Sequence, residues 1–400
     1  MDGAMHEHLG IANHSASPGG EHLHSQDVGL YLHVPFCAKR CHFCAFYLVM
    51  QEEGRIQQFL DSLEAEIAVY ATQLSRAGQR ISTVYVGGGT PTALTAAQLA
   101  AILARVSSEF SLTDDCEVTV EATPESLTSA YLDTLLEAGV TRMSLGIQTF
   151  DQHERECLGL SGTLEEALIG IRLVKQTGFT NFNVDLIYGI PGQTVGSWEQ
   201  TLQQACEHEP THLSCYALSL EKGTRFDAAF RRGELVLIEA NTERQLQWHA
   251  TERLVVAGYG QYEISNWAKP GRACRHNRRY WQGEDYLGFG PSAQSYMAGC
   301  RFGNVSNLEQ YCRRLEKGEL PVVERESLSI LQQNRERVVF GLRLLEGVPL
   351  EWVETNKRDP AWADSFASFL KEKYIVQTSE RVTLTSKGRQ FADELGYQLL

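Results

Sequence analysis

From residue 28 onward, hydrophobic positions fall into short, nearly continuous runs set apart by amphipathic stretches. The runs are GLYLHV (29–34), TVYVG (83–87), EVTVE (117–121), RMSLGI (142–147), FNVDLI (182–187) and HLSCYALSL (212–220). Near-continuous apolar character is what strands buried on both faces require. Between them, Ile56, Phe59, Leu60, Leu63, Ile67, Tyr70 and Leu74 share one helical face, and Leu132, Leu135 and Leu136 begin another that ends at Gly139. Strand–helix alternation repeated six times predicts a parallel α/β fold with right-handed crossovers. Six units are fewer than the eight of a closed barrel, so the expected form is a partial (β/α)6 barrel.

After about residue 225 the pattern changes. Residues 240–258 read as a helix, 259–305 are rich in Gly, Asn, aromatics and Arg, and 329–346 read as a helix again. The end reads as a helix, a hairpin of KYIVQ and RVTLT, and a helix from Ser386, which predicts a small winged-helix-like α+β domain. Four segments are expected: a disordered Gly/Ser/His-rich tail over 1–27, the partial barrel over 28–235, a mixed accessory region over 236–325 and the winged-helix-like domain over 326–400. The tail histidines His6, His8, His14, His22 and His24 read as solvated.

The chain has 400 residues, 43% of them hydrophobic, and a formal charge of −14. That balance argues against general nucleic-acid binding and gives the winged-helix-like domain a packing role. No apolar run reaches about 18 residues and no basic-then-apolar start opens the chain, so a cytoplasmic location is expected, with peripheral contact at a membrane surface left open. Three of the ten cysteines crowd into eight residues; the other seven are scattered and read as small buried apolar side chains.

The crowded set is Cys37, Cys41 and Cys44, a CxxxCxxC directly after the first predicted strand. In a parallel barrel the strand ends face the site. Three thiolates there suit three irons of a [4Fe–4S] cubane, leaving the fourth iron open for chemistry. The competing reading is zinc, with His33 or His42 as fourth ligand, although this spacing does not fit ordinary zinc knuckles. Gly87, Gly88, Gly89 and Thr90 follow the second strand, where glycines permit close backbone approach to a ligand; a plain strand-to-helix turn is the alternative. Glu121, Gln148 and Asp185 each end a predicted strand and would point polar groups into the site. GFGPSA at 288–293 lacks the strand-before, helix-after context of a dinucleotide site.

The run YLHVPFCAKRCHFCAF (31–46) resembles the radical S-adenosylmethionine (SAM) superfamily. VYVGGGTPT (84–92), VTVEATPES (118–126), MSLGIQTF (143–150), NVDLIYGIPGQT (183–194) and LSCYALSLEKGT (213–224) resemble its oxygen-independent coproporphyrinogen oxidase family, and YEISNWAKPG (262–271) with HNRRYWQGEDYLGFGPSA (276–293) resemble that family's heme-chaperone branch. The resemblance runs from about residue 29 to the C-terminus. It implies a cluster on Cys37, Cys41 and Cys44, and SAM contacts from Tyr31, Phe43, Gly87, Gly88, Gly89, Thr90, Glu121, Gln148 and Asp185. It also implies a heme site at His276, with Arg278, Arg279, Tyr280 and Trp281 beside it to pair with propionates and cover a porphyrin face. Cys274 is an alternative heme ligand.

The chain departs from the family at four places. Coproporphyrinogen oxidases carry a further cysteine where Phe46 stands, which favours the chaperone branch. Ala45 precedes it where relatives read CDF, and Leu160 occupies the place of an arginine expected to hold SAM, leaving the SAM carboxylate without that cation. Ser292-Ala293-Gln294 lacks a second histidine. The expected function is heme binding and delivery to an acceptor apo-protein; radical SAM decarboxylation of coproporphyrinogen III and radical SAM heme breakdown are the alternatives.

Overall fold

The computed structural model describes residues 27–400. The tail over 1–27 lies outside the described residues, except that Asp27 opens the first strand. The six anticipated strands form: β1 (Asp27–Val34), then, after a short pair β2 (Phe36–Cys37) and β3 (Val49–Met50), β4 (Arg80–Gly88), β5 (Leu112–Ala122), β6 (Arg142–Gln148), β7 (Phe182–Tyr188) and β8 (His212–Ala217). They lie side by side in that order, all parallel. The crossovers are α1 (Glu53–Arg76), α2 (Ala96–Glu109), α3 (Ser129–Glu137), α4 (Gln152–Leu158) with α5 (Leu164–Thr177), and α6 (Val195–Glu207). The fold is a mixed α/β architecture whose parallel strands do not close into a barrel, as the alternation implies.

The sheet does not stop at six strands. On the β8 side, after α7 (Arg225–Arg231) and α8 (Ala240–Val256), the antiparallel β9 (Gly260–Glu263) and β10 (Asn266–Ala268) extend it. After α9 (Arg275–Gln282), β11 (Tyr286–Phe289) pairs parallel with β1 and is followed outward by β12 (Gln294–Met297), β13 (Cys300–Asn304) and, past α10 (Leu308–Glu316), β14 (Val322–Ser327). Twelve strands result. The Gly- and aromatic-rich region over 259–305 thus adds a strand set to each edge. Its strands run only three to five residues, too short for a periodic apolar signature.

One continuous apolar core runs through the parallel strands, their helices and the added strands, from Val28 and Leu30 to Tyr311 and Leu315. The C-terminal part has its own, built on Val338, Trp362, Phe366, Val382 and Leu395. There α11 (Ile330–Gly341), β15 (Val348–Pro349), α12 (Leu350–Asn356), α13 (Pro360–Lys371), β16 (Ile375–Gln377) and β17 (Arg381–Leu384) precede α14 (Ser386–Arg389) and α15 (Ala392–Leu399). The hairpin read from KYIVQ and RVTLT forms, and β15 completes a three-stranded wing.

The apolar face of α1 is buried as its spacing requires, with Glu66 among the apolar side chains. Its carboxylate accepts from the Gly290 N–H (2.8 Å), Asn304 Nδ2 (2.7 Å) and Tyr311 Oη (2.7 Å). A fully buried carboxylate without a cation is retained only when hydrogen bonds satisfy it; here they tie α1 to three points of the added region.

Candidate functional site

Cys37 lies buried at the end of β2, and Cys41 and Cys44 sit half-buried on the following loop. Two histidines frame this loop, and both are committed. His33 donates from Nε2 to the Tyr47 carbonyl (3.0 Å), so its Nδ1 accepts from the Tyr31 hydroxyl (3.2 Å). His42 donates from Nδ1 to the Cys157 carbonyl (2.9 Å), and its Nε2 faces Arg225 Nη1 at 3.3 Å. Neither ring has a nitrogen to spare for a metal. Among the described residues no three His, Cys, Asp or Glu side chains stand close enough to hold a single ion, the three cysteines included. Zinc would need a fourth ligand that neither histidine offers, whereas a cubane needs only three thiolates, so the donor set fits a cluster better than zinc. Burial first, then the neighbouring Cys44 and Cys37, pushes the Cys41 thiol up to about 12. Cys37 and Cys44 are raised mainly by burial as well. Binding iron would therefore displace thiol protons.

The loop is latched to the C-terminal end of α4. The His42 N–H donates to the Leu158 carbonyl (2.9 Å), and Lys39 Nζ donates to that of Leu160 (2.9 Å). Gly159 caps α4 at φ 68°, and a Cβ there would stand 2.5 Å from His42 Nε2. Only glycine accommodates both the left-handed backbone and the imidazole.

The glycine block after β4 has a local packing role. A Cβ on Gly89 would lie 2.7 Å from the Phe36 carbonyl oxygen, and one on Gly87 would lie 2.9 Å from Glu121 Oε2. The Gly89 and Thr90 N–H groups donate to the Val34 and Phe36 carbonyls at 2.8 Å each. The block therefore lets two strand ends close on each other, and Thr90 Oγ1 comes within 3.3 Å of Cys37 Sγ.

Inside the strands lies a polar network. Tyr85 Oη donates to Glu121 (2.7 Å). Burial pushes the Glu121 carboxyl up to about 7 against that bond, and the Asp185 charge adds to the rise. Asp185 accepts from Ser144 Oγ (3.0 Å) and Asn183 Nδ2 (2.8 Å), and burial raises it too. Gln148 takes φ 68° at the end of β6. A non-glycine residue held there carries backbone strain of the kind that gathers at ligand sites. Tyr31 stacks on Tyr85. Phe43 packs against the apolar cluster of Leu158, Ile187, Ile190 and Phe226. Tyr31, Gly87, Glu121 and Asp185 thus come together at the strands, Thr90 stands by Cys37, and Phe43 turns from the cysteine loop into the apolar cluster.

His276, which the resemblance makes the heme ligand, lies enclosed in the structure. It is 1% exposed in the first turn of α9. Nδ1 meets Thr83 Oγ1 and Nε2 meets Tyr280 Oη, both at 2.8 Å, and the ring stacks on Tyr85. Burial, then the Arg279 and Arg142 charges, lowers its pKa to about 3, so the ring is neutral. With both nitrogens bonded and no free face, it offers no ligand to heme iron in this conformation. Its neighbours are also engaged: Arg278 pairs with Glu346 (2.9 Å) and Arg279 with Glu284 (2.9 Å). Cys274, the alternative ligand, is fully buried against Glu117. Instead, α9 stoppers the barrel interior from below.

A radical SAM superfamily model matches residues 31–205. Relatives resemble the chain nearly end to end. The heme chaperone HemW of Mycobacterium tuberculosis is 36% identical, covering 96% of this chain and 97% of its own length. That of Escherichia coli is 33% identical, covering 92% and 97%. The chain belongs to the HemW family of radical SAM proteins. Its fold matches the solved structure of E. coli HemN, a coproporphyrinogen III oxidase, with a TM-score of 0.82 over 93% of this chain and 90% of that one, at 24% identity. Leu160 packs with Leu158 and Phe226. Sequence reasoning missed Tyr85, Ser144 and Asn183, which alternate with the apolar positions of their strands, and the buried Arg155. For the first three, period-two alternation within β4, β6 and β7 is the signal that places them on the interior face.

Proposed function

We propose that the protein is a heme chaperone that binds heme and passes it to an acceptor apo-protein. In this reading Cys37, Cys41 and Cys44 hold one [4Fe–4S] cluster. Tyr31, Phe43, Gly87, Gly88, Gly89, Thr90, Glu121, Gln148 and Asp185 receive SAM. The observation that carries the reading is the 33–36% identity to heme chaperones over nearly the whole chain, accessory and C-terminal regions included. Phe46, 66% exposed, stands where the oxidase branch has a further cysteine and supports the same branch.

The cluster, when bound, supplies an open iron for SAM and a one-electron redox centre. The chain's own residues do the rest. The three cysteines release their thiol protons to bind iron. Tyr85 holds Glu121 in place, and Ser144 and Asn183 hold Asp185, so both carboxyls are fixed before a ligand arrives. His33 and His42, through their hydrogen bonds to the Tyr47 and Cys157 carbonyls, fix the two ends of the cysteine loop. Because His276 is enclosed, heme iron takes its ligand from another residue or after α9 opens. Among the described residues no helix is long and apolar enough to cross a membrane.

One anaerobically reconstituted sample tests the proposal. It should hold about four irons, as the cubane argument requires. Cys37→Ala, Cys41→Ala and Cys44→Ala should each abolish the cluster, while Cys116→Ala and Cys312→Ala should keep it. Heme titration should give a saturable Soret band, and coproporphyrinogen III should stay unconverted. Conversion of coproporphyrinogen III with SAM consumption would make the protein the oxidase; a cluster surviving in the triple alanine variant would remove the metal assignment.

A further inference from the structure

Arg155 is a buried cation that makes no salt bridge among the described residues. It lies on α4, is 3% exposed, and folds back under the β6–α4 turn. Its Nη1 donates to the carbonyls of Ile147 (2.9 Å) and Thr149 (3.3 Å), the residues either side of the strained Gln148. Nε is buried with no hydrogen-bond partner among the described residues. The carboxylates that influence it are engaged elsewhere: Glu125 accepts from Ser161, and Glu166 accepts from the Thr163 N–H (2.7 Å) in a capping box. The remaining group within its influence is Cys41, one of the three clustered thiols, which acts on it as a thiolate. A guanidinium taken out of water costs several kcal/mol unless a charge meets it. Here neutral carbonyls meet one nitrogen, and the rest of the fork is left over at the junction of Gln148 and the cysteine loop.

The expected cation of this site is missing at Leu160, whose side chain packs in an apolar cluster and whose carbonyl is taken by Lys39. Arg155 lies five residues upstream on the helix that ends at that loop. We infer that Arg155 is the cation that meets the SAM carboxylate in this chain, standing in for the arginine absent at Leu160, while its other nitrogen holds the Gln148 turn. This rests on the SAM-binding reading above. A planar fork suits both tasks: one nitrogen bridges two carbonyls and the free edge addresses a carboxylate.

The test is anaerobic calorimetry on cluster-loaded protein with two ligands: SAM, and 5′-methylthioadenosine, which keeps the adenosine but lacks the amino acid. Arg155→Gln should weaken SAM about 10- to 100-fold, the range for a hydrogen bond to a charged group, and leave methylthioadenosine unchanged. Adding Leu160→Arg to that variant should recover SAM affinity. Iron content confirms that the cluster is retained. If Arg155→Gln does not fold, Arg155→Lys replaces it, with a smaller loss expected and again for SAM alone. Equal losses for both ligands would show a purely structural clasp, and unchanged SAM affinity would show no contact; either overturns the inference. A wild-type protein that binds no SAM would sink the underlying reading and this inference with it.

Discussion

Glu66 sits at helical spacing from Phe59, Leu63 and Tyr70, on the face that α1 turns to the core. Burial pushes its carboxyl from an ordinary 4.5 up to about 7, against the three hydrogen bonds it accepts. Between those values the folded chain holds a proton that the unfolded chain has already released. Stability from this group is therefore greatest below about 4.5, falls as pH rises to about 7, and then levels. Thermal melts from pH 5 to pH 8 should show this decline, and Glu66→Gln, which cannot titrate, should show a flatter one. Equal slopes would mean that Glu66 stays ionised throughout. Glu66→Leu should be worse at every pH, because it strands three buried donors at about 1–3 kcal/mol for each left unsatisfied. The burial of Glu66 was legible in its spacing; its partners were not, since Gly290, Asn304 and Tyr311 arrive from more than 200 residues away.

At the scale of elements, α9 joins chemistry to architecture. Glu117 on β5 accepts from the Arg275 and His276 N–H groups (2.9 and 3.2 Å), capping the helix with a carboxylate where its dipole is positive. The helix in turn places His276 between Thr83 and Tyr280. His276→Ala would leave these hydroxyls without a partner in a buried gap. We expect it to lower stability by about 1–3 kcal/mol, seen as a lower denaturation midpoint, and to leave the Soret band of bound heme where it is. A shifted Soret band would restore His276 as the iron ligand and require α9 to move on heme binding. The HNRRYW run reads equally as a porphyrin site or a polar plug from composition alone; the register that aims the imidazole inward is set by β5. The six parallel strands were legible because each carries a six- to eleven-residue run with a buried apolar stretch. The added strands β9 to β13 were not, because they run only three to five residues, and those that join the sheet, β10 and β11, find β8 and β1 in distant segments.

Over the whole molecule, the barrel, its helices and the two added strand sets share one core, while the C-terminal part keeps a second. A chain ending at residue 328 removes only the second core and should remain folded, with its cluster ligands in place. A chain ending at 235 loses α9, β10 and β11 and should be insoluble, though it retains all three cysteines and all six parallel strands. Expression and sedimentation of the two would check this; a soluble, iron-loaded shorter chain would show that the barrel stands by itself. The cause lies in the pairing of β1 with β11. The first strand to leave the ribosome must wait roughly 250 residues for its neighbour, about 13–50 s at ordinary translation speeds. Throughout that interval one side of β1 offers unpaired backbone groups, the kind of edge that recruits other chains. For this protein, the hazard of misassembly is greatest during synthesis and ends only when β11 emerges.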